Sequence, residues 1–406
     1  MKRKARQLDE QVLELPKEVK FCRKCVVSNQ RPRIVFDEDG VCGACRYAEY
    51  KENIIDWQAR ENELEKLLDK HRRNDGYFDV MVPSSGGKDS ALVAHQLKER
   101  WGMNPLTITW SPFVYTDIGY QNWRNFIYSG FNNILCTPNG AFHRKLSKLA
   151  FMTVGDAFAP FSYGQTAFPF HMAIKLGIKL VFFGENGEAE YGGSTEFSEL
   201  PGMPFDLWRR VYYKGTDFGD LVKEGIAAGV ITEKDVRDNF HFYHPPSPEE
   251  MQKSGAEFHW YSYYHRWLPQ ENYYYAHEHT GFEANPDGRS EGTYSKYASL
   301  DDRMDGFHYY LMFIKFGIGR ATSDSAHEVR DRHLTREEAV ALVKRFDGEF
   351  PSKHYQEFLE YLDITEDDFW EVIDSWRSPH IWTKVGNDWV LKHAVYYPED
   401  AVEPLP

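Results

Sequence analysis

The chain has 406 residues, of which 42% are hydrophobic and 27% are charged, and its formal net charge is -14. This length suits two domains or one α/β domain with insertions, whereas the negative surface repels a nucleic-acid backbone. Since no stretch approaches the run of about 20 apolar residues that a membrane helix needs, we expect a soluble, cytoplasmic protein with neither a nucleic-acid nor a membrane partner.

Four of the five cysteines lie in two closely spaced pairs near the N-terminus, namely Cys22 with Cys25 and Cys42 with Cys45. This spacing is typical of a tetrahedral Zn²⁺ site, and the segment between the pairs predicts a hairpin that turns at "DEDG". Disulfide bonds are the alternative, and a cytoplasmic context and the odd fifth cysteine, Cys136, disfavour them. The sequence therefore predicts a tail and a zinc-ribbon-like module over residues 1–55.

A linker helix and a repeating strand–helix pattern follow. Residues 56–75 predict the helix, and over 76–200 short apolar strands ("YFDVMVP", "PLTITW", "NNILCTP", "KLVFFG") alternate with helical segments. This alternation predicts an α/β fold, a parallel twisted sheet with helices on both faces. Ligands of such sheets bind at the carboxyl ends of the strands.

The remaining chain loses this alternation. Residues 201–292 are rich in proline and aromatic residues and predict an insertion, and residues 293–406 predict a mostly helical part. Within it, Thr335 and Glu338 form a predicted capping box at the start of "TREEAVALVKRF".

A glycine-rich turn, "SGGKDS" (85–90), joins the first predicted strand to the first helix of the sheet domain. It is not a Walker A loop, because Lys88 precedes Asp89 and Val82 stands where the first glycine belongs. The two glycines let the backbone close around an anion at the positive end of a helix. Asp89 is suited to a Mg²⁺ ion that neutralises pyrophosphate.

"SGGKDS" is the signature of the PP-loop ATP pyrophosphatases, which the sequence resembles here. Two further stretches, 106–146 and 281–330, together with the cysteine pairs, resemble the N-acetyl sugar amidotransferases of the WbpG and PseA type. The resemblance extends from about Phe21 to Pro351. Proteins of this family are associated with lipopolysaccharide O-antigens and flagellin glycans that carry acetamidino sugars such as pseudaminic acid derivatives.

The resemblance implies a PP-loop, HUP-like adenine nucleotide hydrolase fold and an ATP- and Mg²⁺-dependent reaction. AMP is transferred to the acetamido oxygen of an N-acetylated sugar, acidic or nucleotide-linked, and ammonia then replaces that oxygen. No glutaminase signature is present in the sequence. The resemblance therefore implies a separate glutamine amidotransferase subunit, similar to the histidine-pathway glutaminase, with a barrel-type companion as the ammonia source.

The expected site residues come from the motif positions that match the family. Those expected to hold pyrophosphate are Ser85, Gly86, Gly87, Lys88, Asp89 and Ser90, with Asp89 as the magnesium ligand. Trp110 and Ser111 are expected near adenosine. Gly184, Glu185, Asn186 and Glu190 are candidates for binding the nucleotide or magnesium or for acting as general base. Lys88, Asp89, Glu185 and Glu190 are the expected catalytic residues.

A charged C-terminal segment supplies the candidates for binding the sugar, which are Tyr294, Lys296, Asp302, Arg303, Arg320, Asp324 and Arg330. Arg320 and Arg330 are preferred for the acid group, because an arginine binds a carboxylate or phosphate bidentately. Packing is the alternative for Trp110, and a solvated helix face is the alternative for the C-terminal charges.

Two other functions remain open at this stage. A tRNA-modifying PP-loop thiolase also combines cysteine pairs with "SGGKDS", but the negative charge opposes it. The second function is that of a catalytically inactive, zinc-containing scaffold protein, which the intact Asp89 makes less favoured.

Overall fold

The computed structural model describes residues 7–202 and 218–398. Residues 1–6 of the predicted tail, 203–217 of the predicted insertion and 399–406 of the predicted C-terminal part lie outside the described residues. Within the described ranges, no helix combines the length and the apolar character that crossing a membrane requires.

A five-stranded parallel sheet forms the centre of the fold. Its strands are β1 (Val80–Pro83), β2 (Pro105–Trp110), β3 (Asn132–Cys136), β4 (Leu180–Phe183) and β5 (Glu257–Trp260). Their order across the sheet is β3-β2-β1-β4-β5, and every neighbouring pair is parallel. The predicted α/β class with a parallel sheet is confirmed.

The fifth strand lies inside the segment that the sequence predicts as an insertion. β5 pairs with β4 from Leu180 opposite Glu257 to Phe183 opposite Trp260. Its sequence, "EFHW", is only four residues long and stands among other aromatic residues, so its pattern does not distinguish it from the surrounding loop and helix. Residues 201–292 therefore contribute to the central sheet as well as to its surroundings.

Helices cover both faces of the sheet, as predicted. In chain order the first seven helices are α1 (Gly43–Asn53), α2 (Trp57–His71), α3 (Lys88–His95), α4 (Asp117–Tyr128), α5 (Gly140–Val154), α6 (Ala159–Leu176) and α7 (Gly187–Tyr191). Met81 of β1 belongs to the hydrophobic cluster that includes α5 and α6, whereas Val80 and Val82 belong to the cluster that includes α3. This alternation along β1 follows from the two-residue period of a strand.

Residues 218–398 are mostly helical, and a hairpin lies near the end of this range. Its helices are α8 (Phe218–Ala227), α9 (Glu233–Asn239), α10 (Pro248–Ser254), α11 (Tyr261–Tyr264), α12 (Pro269–Thr280), α13 (Asp305–Phe316), α14 (Arg320–Arg330), α15 (Arg336–Phe346), α16 (Tyr355–Leu362) and α17 (Glu366–Ser375). The hairpin consists of β6 (Trp382–Val385) and β7 (Asp388–Leu391). The capping box at the start of α15 is confirmed, because Thr335 and Glu338 exchange side-chain and backbone hydrogen bonds.

The cysteine-rich N-terminal segment packs against the C-terminal helices. Cys22 and Cys45 share one hydrophobic cluster with Phe307 of α13 and Phe358 of α16. Where the sequence predicts a hairpin between the cysteine pairs, the structure has a single antiparallel bridge, which joins Phe36 to Cys42 across the "DEDG" turn. The chain then enters α1 directly after Cys42.

Candidate functional site

A cavity of about 630 Å³ opens at the carboxyl edge of the sheet. The chain leaves β1 toward β2 on one side of the sheet, and β4 pairs with β1 on the other side. Ligands of open parallel sheets bind in the crevice that this reversal creates. The loops that follow β1 and β4 both line the cavity.

The loop after β1 is held open by glycine and serine residues. Gly86 has a φ of 85° and passes so close to α4 that a Cβ atom there would lie 2.5 Å from the Cα of Trp123. Ser84 Oγ accepts a hydrogen bond from the Gly86 amide at 3.2 Å and lies 2.9 Å from Ser90 Oγ. These contacts hold the turn in place beside α4.

Helix α3 begins directly after this loop with an uncapped N-terminus. Gly87 is its N-cap and supplies no capping side chain, so the first backbone N–H groups are available for an anion. The ammonium group of Lys88 forms an ion pair with Asp89 and lies 5.6 Å from the ring centre of Tyr297. Asn272 of α12 donates a hydrogen bond to Asp89 Oδ1 at 2.9 Å.

The loop after β4 brings a carboxyl group opposite the glycine-rich loop. Glu185 lines the cavity, and burial, followed by the nearby charge of Asp89, raises its pKa to about 7. Gly184 precedes it in close contact with Trp267, because a Cβ atom at Gly184 would lie 3.0 Å from the indole ring. Glu185 is therefore poised to change protonation state near neutral pH.

The third wall of the cavity comes from the segment 295–302 and from helices α13 and α14. Arg320 forms an ion pair with Asp324 at 3.0 Å, and its guanidinium lies 4.3 Å from the ring centre of Tyr309. Burial raises the pKa of Asp301 to about 6 and that of Asp302 to about 8. This wall therefore presents one guanidinium among several carboxyl groups.

Acidic side chains outnumber basic ones around the cavity. The acidic residues that line it are Asp89, Glu185, Asp301, Asp302, Asp305, Asp324, Glu328 and Asp331. The lysine and arginine residues that line it are Lys88 and Arg320. A polyphosphate would be repelled by this excess unless divalent cations accompanied it, and carboxylates are ligands that Mg²⁺ prefers.

The structure brings many of the expected site residues to the cavity. Those that line it are Ser85, Gly87, Lys88, Asp89, Ser90, Trp110, Gly184, Glu185, Asp302, Arg320 and Asp324. Trp110 is the last residue of β2 and is 5% exposed. Its indole ring also packs 5.4 Å from Tyr243 and 5.8 Å from Phe168, measured between ring centres. Most of the Trp110 side chain therefore packs in the core, as the packing alternative predicts, although the residue also lines the cavity.

Other expected residues do not line the cavity. These are Gly86, Ser111, Asn186, Glu190, Tyr294, Lys296, Arg303 and Arg330. Asn186 instead caps α7 and donates a hydrogen bond to the Phe197 carbonyl at 3.0 Å. Glu190 is buried and pairs with Lys51 of α1 at 2.6 Å. Gly86 and Asn186 shape the two loops that carry the lining residues.

The two remaining arginines serve contacts between segments. Arg303 pairs with Glu357 of α16 at 3.1 Å. Arg330 donates a hydrogen bond to the Glu190 carbonyl at 2.8 Å, and its other guanidinium nitrogen lies 3.9 Å from the Sγ atom of Cys25. The structure therefore leaves Arg320 as the arginine at the cavity.

Several cavity residues were not expected from the sequence, among them Ser84, Tyr297, Asp305, Tyr309, His327 and Asp331. The helical period of α14 could have indicated two of them, His327 and Asp331. Positions 320, 324, 327 and 331 follow spacings of four, three and four residues and share one helix face, whereas position 330 lies well to the side. In the irregular segment before α13, Ser295 and Tyr297 line the cavity while their neighbours Tyr294 and Lys296 do not.

The four paired cysteines form a compact buried cluster, and their thiols lie within 4.8 Å of one another. The Sγ atoms of Cys22 and Cys45 are 3.8 Å apart, and those of Cys25 and Cys42 are 3.7 Å apart. A tetrahedral site with Zn–S bonds of about 2.3 Å requires sulfur–sulfur distances of about 3.8 Å. No disulfide is formed, so the cluster could bind a metal such as zinc.

Backbone amides support this metal-site geometry. The amides of Lys24, Cys25 and Cys42 point at Cys22 Sγ from 3.3 to 3.5 Å. Such N–H···S contacts stabilise a thiolate. Four cysteine ligands leave no open coordination position, which is the pattern of a structural rather than a catalytic zinc site.

The fold and the cavity define a parallel α/β protein with a large, carboxylate-rich cleft at the switch point of its sheet. Residues 291–396 match the family model described as LPS biosynthesis protein WbpG-like, C-terminal domain. The matched segment includes α13 and α14, which form the third wall of the cavity, and it extends to the hairpin. The match covers about a quarter of the chain and shows similarity to lipopolysaccharide biosynthesis proteins in this segment. No curated protein matches the chain.

Proposed function

We propose that the chain is an ATP-dependent N-acetyl sugar amidotransferase with a PP-loop fold. The observation that carries the proposal is the composition of the cavity: the glycine-rich loop forms one wall, and the WbpG-like segment contributes another. Such an arrangement supports the proposal because a nucleotide and a sugar of surface polysaccharide synthesis would then share one cleft. The product is an acetamidino sugar for a lipopolysaccharide O-antigen or a flagellin glycan.

The reaction has two steps that share the cavity. The acetamido oxygen attacks the α-phosphorus of ATP, the bond to the β-phosphate bridge breaks, and pyrophosphate leaves. Ammonia then adds to the activated carbon, AMP departs with the former acetamido oxygen, and a proton is lost. Activation is needed because an amide oxygen is otherwise a very poor leaving group.

The loop after β1 suits the departing pyrophosphate. Its first helical amides and the ammonium group of Lys88 supply positive charge, and Ser85 and Ser90 supply hydroxyl donors. Asp89 is the proposed ligand for Mg²⁺, which when bound would neutralise the β and γ phosphates. We expect nucleotide binding to require this cation, because the excess of carboxylates repels the phosphates of the bare nucleotide.

The third wall suits the sugar. Arg320 is the proposed contact for an acid group on the sugar or on its nucleotide carrier, and Tyr309 and Asp324 hold its guanidinium in place. Tyr297 and Tyr309 offer rings of the kind that pack against a sugar face.

Glu185 is the proposed general base. Above about pH 7 its carboxyl group is ionised, and its raised pKa of about 7 makes it a stronger base toward a proton of the attacking nitrogen than an ordinary glutamate. Ammonia itself would come from a glutaminase-like partner subunit with its barrel-type companion.

The experiment that tests this function combines the purified chain with ATP, Mg²⁺, ammonium chloride and a panel of acetamido sugars and their nucleotide-linked forms. We expect AMP and pyrophosphate release that requires both sugar and ammonium, and a product whose mass differs by the exchange of oxygen for NH. Sugar-independent ADP formation would exclude adenylation. Asp89→Asn should lower the rate of AMP release by about 100-fold or more. The matched control is Asp388→Asn, at an exposed residue of β7, which should leave the rate unchanged.

A further inference from the structure

The two edges of the central sheet differ in how they are covered. β5 forms one edge, and the same chain covers part of its outer side, because the Trp260 amide donates a hydrogen bond to the Pro201 carbonyl at 2.8 Å. β3 forms the other edge, and β2 is the one described strand that pairs with it. In the described parts of the chain, β3 therefore leaves one side of the sheet open.

The backbone groups on the open side of β3 belong to Asn133 and Leu135. The carbonyls of Asn132 and Cys136 accept hydrogen bonds at 2.8 and 2.9 Å from residues in β2 or directly after it, so both face β2. Alternate residues of a strand face the same neighbour, so the N–H and C=O groups of Asn133 and Leu135 point away from β2. No other described residue forms a hydrogen bond with these outward groups.

This edge lacks the features that usually prevent a strand from pairing with another molecule, which are charged residues, proline and bulges. The chain has no lysine, arginine, aspartate or glutamate between Arg124 and Arg144, although 27% of all its residues are charged. β3 contains no proline and keeps a regular register with β2 along its whole length. The Leu135 side chain is also 38% exposed. The edge is therefore suited to accept a further strand.

Helix α4 packs on the face of the sheet to which the Leu135 side chain points. Asn133, two residues earlier in β3, points to the same face, and its side chain donates a hydrogen bond to Thr109 Oγ1 at 2.9 Å. Trp123 of α4 donates a hydrogen bond to the same oxygen at 3.3 Å. The exposed Leu135 side chain therefore lies on the α4 side of the open edge.

α4 carries a row of exposed side chains of the kind found in protein interfaces. Tyr120, Arg124 and Tyr128 follow one another at intervals of four residues and share one helix face. Tyr120 is 46% exposed and Tyr128 is 75% exposed, and the Arg124 guanidinium lies 6.0 and 5.4 Å from their ring centres. Tyrosine and arginine are enriched in interfaces and among the residues that contribute most to binding.

The charge around this edge permits the approach of a second copy of the chain. The formal net charge of -14 makes two copies repel each other, so they can associate only where their surfaces lack negative charge. Between Asp117 and Asp156 the chain contains no aspartate or glutamate. This stretch includes most of α4, all of β3 and all of α5, which are the elements at the open edge.

The backbone of β3 is also complementary to itself. If two β3 strands run antiparallel about a twofold axis at Ile134, Asn133 lies opposite the partner's Leu135, and Leu135 lies opposite the partner's Asn133. Opposite residues of this kind exchange both N–H···O=C hydrogen bonds, so every outward group of Asn133 and Leu135 gains a partner. We propose that two copies of the chain pair through β3 in this way and join their sheets into one continuous sheet.

The first test measures the mass of the full chain in solution. We expect sedimentation equilibrium at micromolar concentration to give twice the chain mass of 47.5 kDa. Leu135→Lys should return the mass to that of one chain, because two like charges then meet across the edge. Val385→Lys, at an exposed residue of β6, is the matched control and should remain a dimer. A single-chain mass for the unsubstituted protein overturns the inference, as does a dimer of Leu135→Lys whose circular dichroism is unchanged.

The second test identifies the edge and needs no variant. Amide hydrogen exchange of the unsubstituted protein is measured at single-residue resolution. We expect the outward amides of Asn133 and Leu135 to exchange as slowly as the amide of Ile134, which faces β2. Rapid exchange at Asn133 and Leu135 beside a protected Ile134 overturns the inference, even if the mass shows a dimer. Neither test uses a nucleotide or a sugar, so both outcomes are independent of the proposed reaction.

Discussion

Carboxyl groups with raised pKa values are the main residue-scale feature of the cavity. Burial raises the pKa of Glu185 to about 7, that of Asp301 to about 6 and that of Asp302 to about 8. Each group is neutral at a pH at which its exposed counterpart is charged. The net charge of the cavity therefore becomes more negative as the pH rises through neutrality, which favours binding of Mg²⁺.

The raised pKa of Glu185 has a consequence for stability. Between pH 4.5, its ordinary pKa, and about pH 7, the native state binds more protons than the unfolded state, so the free energy of unfolding falls as the pH rises. Above about pH 7 the Glu185 carboxyl group is ionised in both states, and the stability that its protonated form gives the native state at low pH is lost. Glu185→Gln removes the effect, so we expect the variant to gain roughly 1–3 kcal/mol relative to the unsubstituted protein between pH 5 and pH 8.

Urea unfolding of both proteins at pH 5, 6, 7 and 8 without nucleotide measures this difference. A stability difference that does not change with pH would contradict the raised pKa. Glu271→Gln, in the first turn of α12 and outside the cavity lining, is a control for the loss of one charge.

At the scale of elements, the turn between β1 and α3 depends on the close approach of Gly86 to helix α4. Both Gly86 (φ 85°) and Gly76 (φ 80°) adopt the left-handed conformation. They differ in surroundings, because a Cβ atom at Gly86 would lie 2.5 Å from the Cα of Trp123, whereas one at Gly76 meets nothing within 4 Å. The pair separates conformational strain from steric overlap.

We expect Gly76→Ala to cost about 1–2 kcal/mol from backbone strain alone. Gly86→Ala should cost clearly more, because α4 must also move, and it should weaken ATP binding. Urea unfolding and nucleotide titration measure the two effects. Similar losses of stability for the two variants would show that contact with α4 is unimportant.

The cysteine cluster is a second element whose role can be tested. Cys42→Ser should release bound zinc and lower the melting temperature, because the cluster shares its hydrophobic contacts with α13 and α16 and metal binding contributes to folding. Cys136→Ser should retain zinc, since Cys136 lies at the end of β3 and outside the cluster. Elemental analysis and thermal unfolding check both variants, and zinc retention by Cys42→Ser would contradict the four-cysteine site.

At the scale of the whole molecule, the N-terminal segment is tied to the sheet domain by a buried ion pair. Lys51 of α1 and Glu190 of α7 are 2.6 Å apart, and their side chains are 7% and 2% exposed. Removing one partner leaves a buried charge without compensation, which typically costs about 3–5 kcal/mol of stability. Replacing both partners with apolar residues is often neutral.

We therefore expect Lys51→Met alone to destabilise the protein by about 3 kcal/mol or more. The double variant Lys51→Met, Glu190→Leu should recover most of this loss. Unfolding free energies of the single and double variants form a double-mutant cycle. Additive effects in that cycle would mean that the two side chains do not act as a pair.

The α/β class of the fold and the cysteine cluster could be predicted from the sequence. Four strands, the helices between them and the capping box at Thr335 follow from local periodicity and capping patterns, and the cysteine spacing indicates a metal cluster. Local patterns suffice for these features because neighbouring residues in the chain create them.

Which charged residues meet depends on the tertiary structure. β5 joins the sheet through non-local pairing with β4, Arg330 turns toward the cysteine cluster and Arg320 toward the cavity, and Lys51 reaches Glu190 across the chain. These contacts join residues far apart in sequence, so their partners depend on how the helices and the sheet pack. Local patterns do not encode that packing, and the structure places the residues of the proposed active site through it.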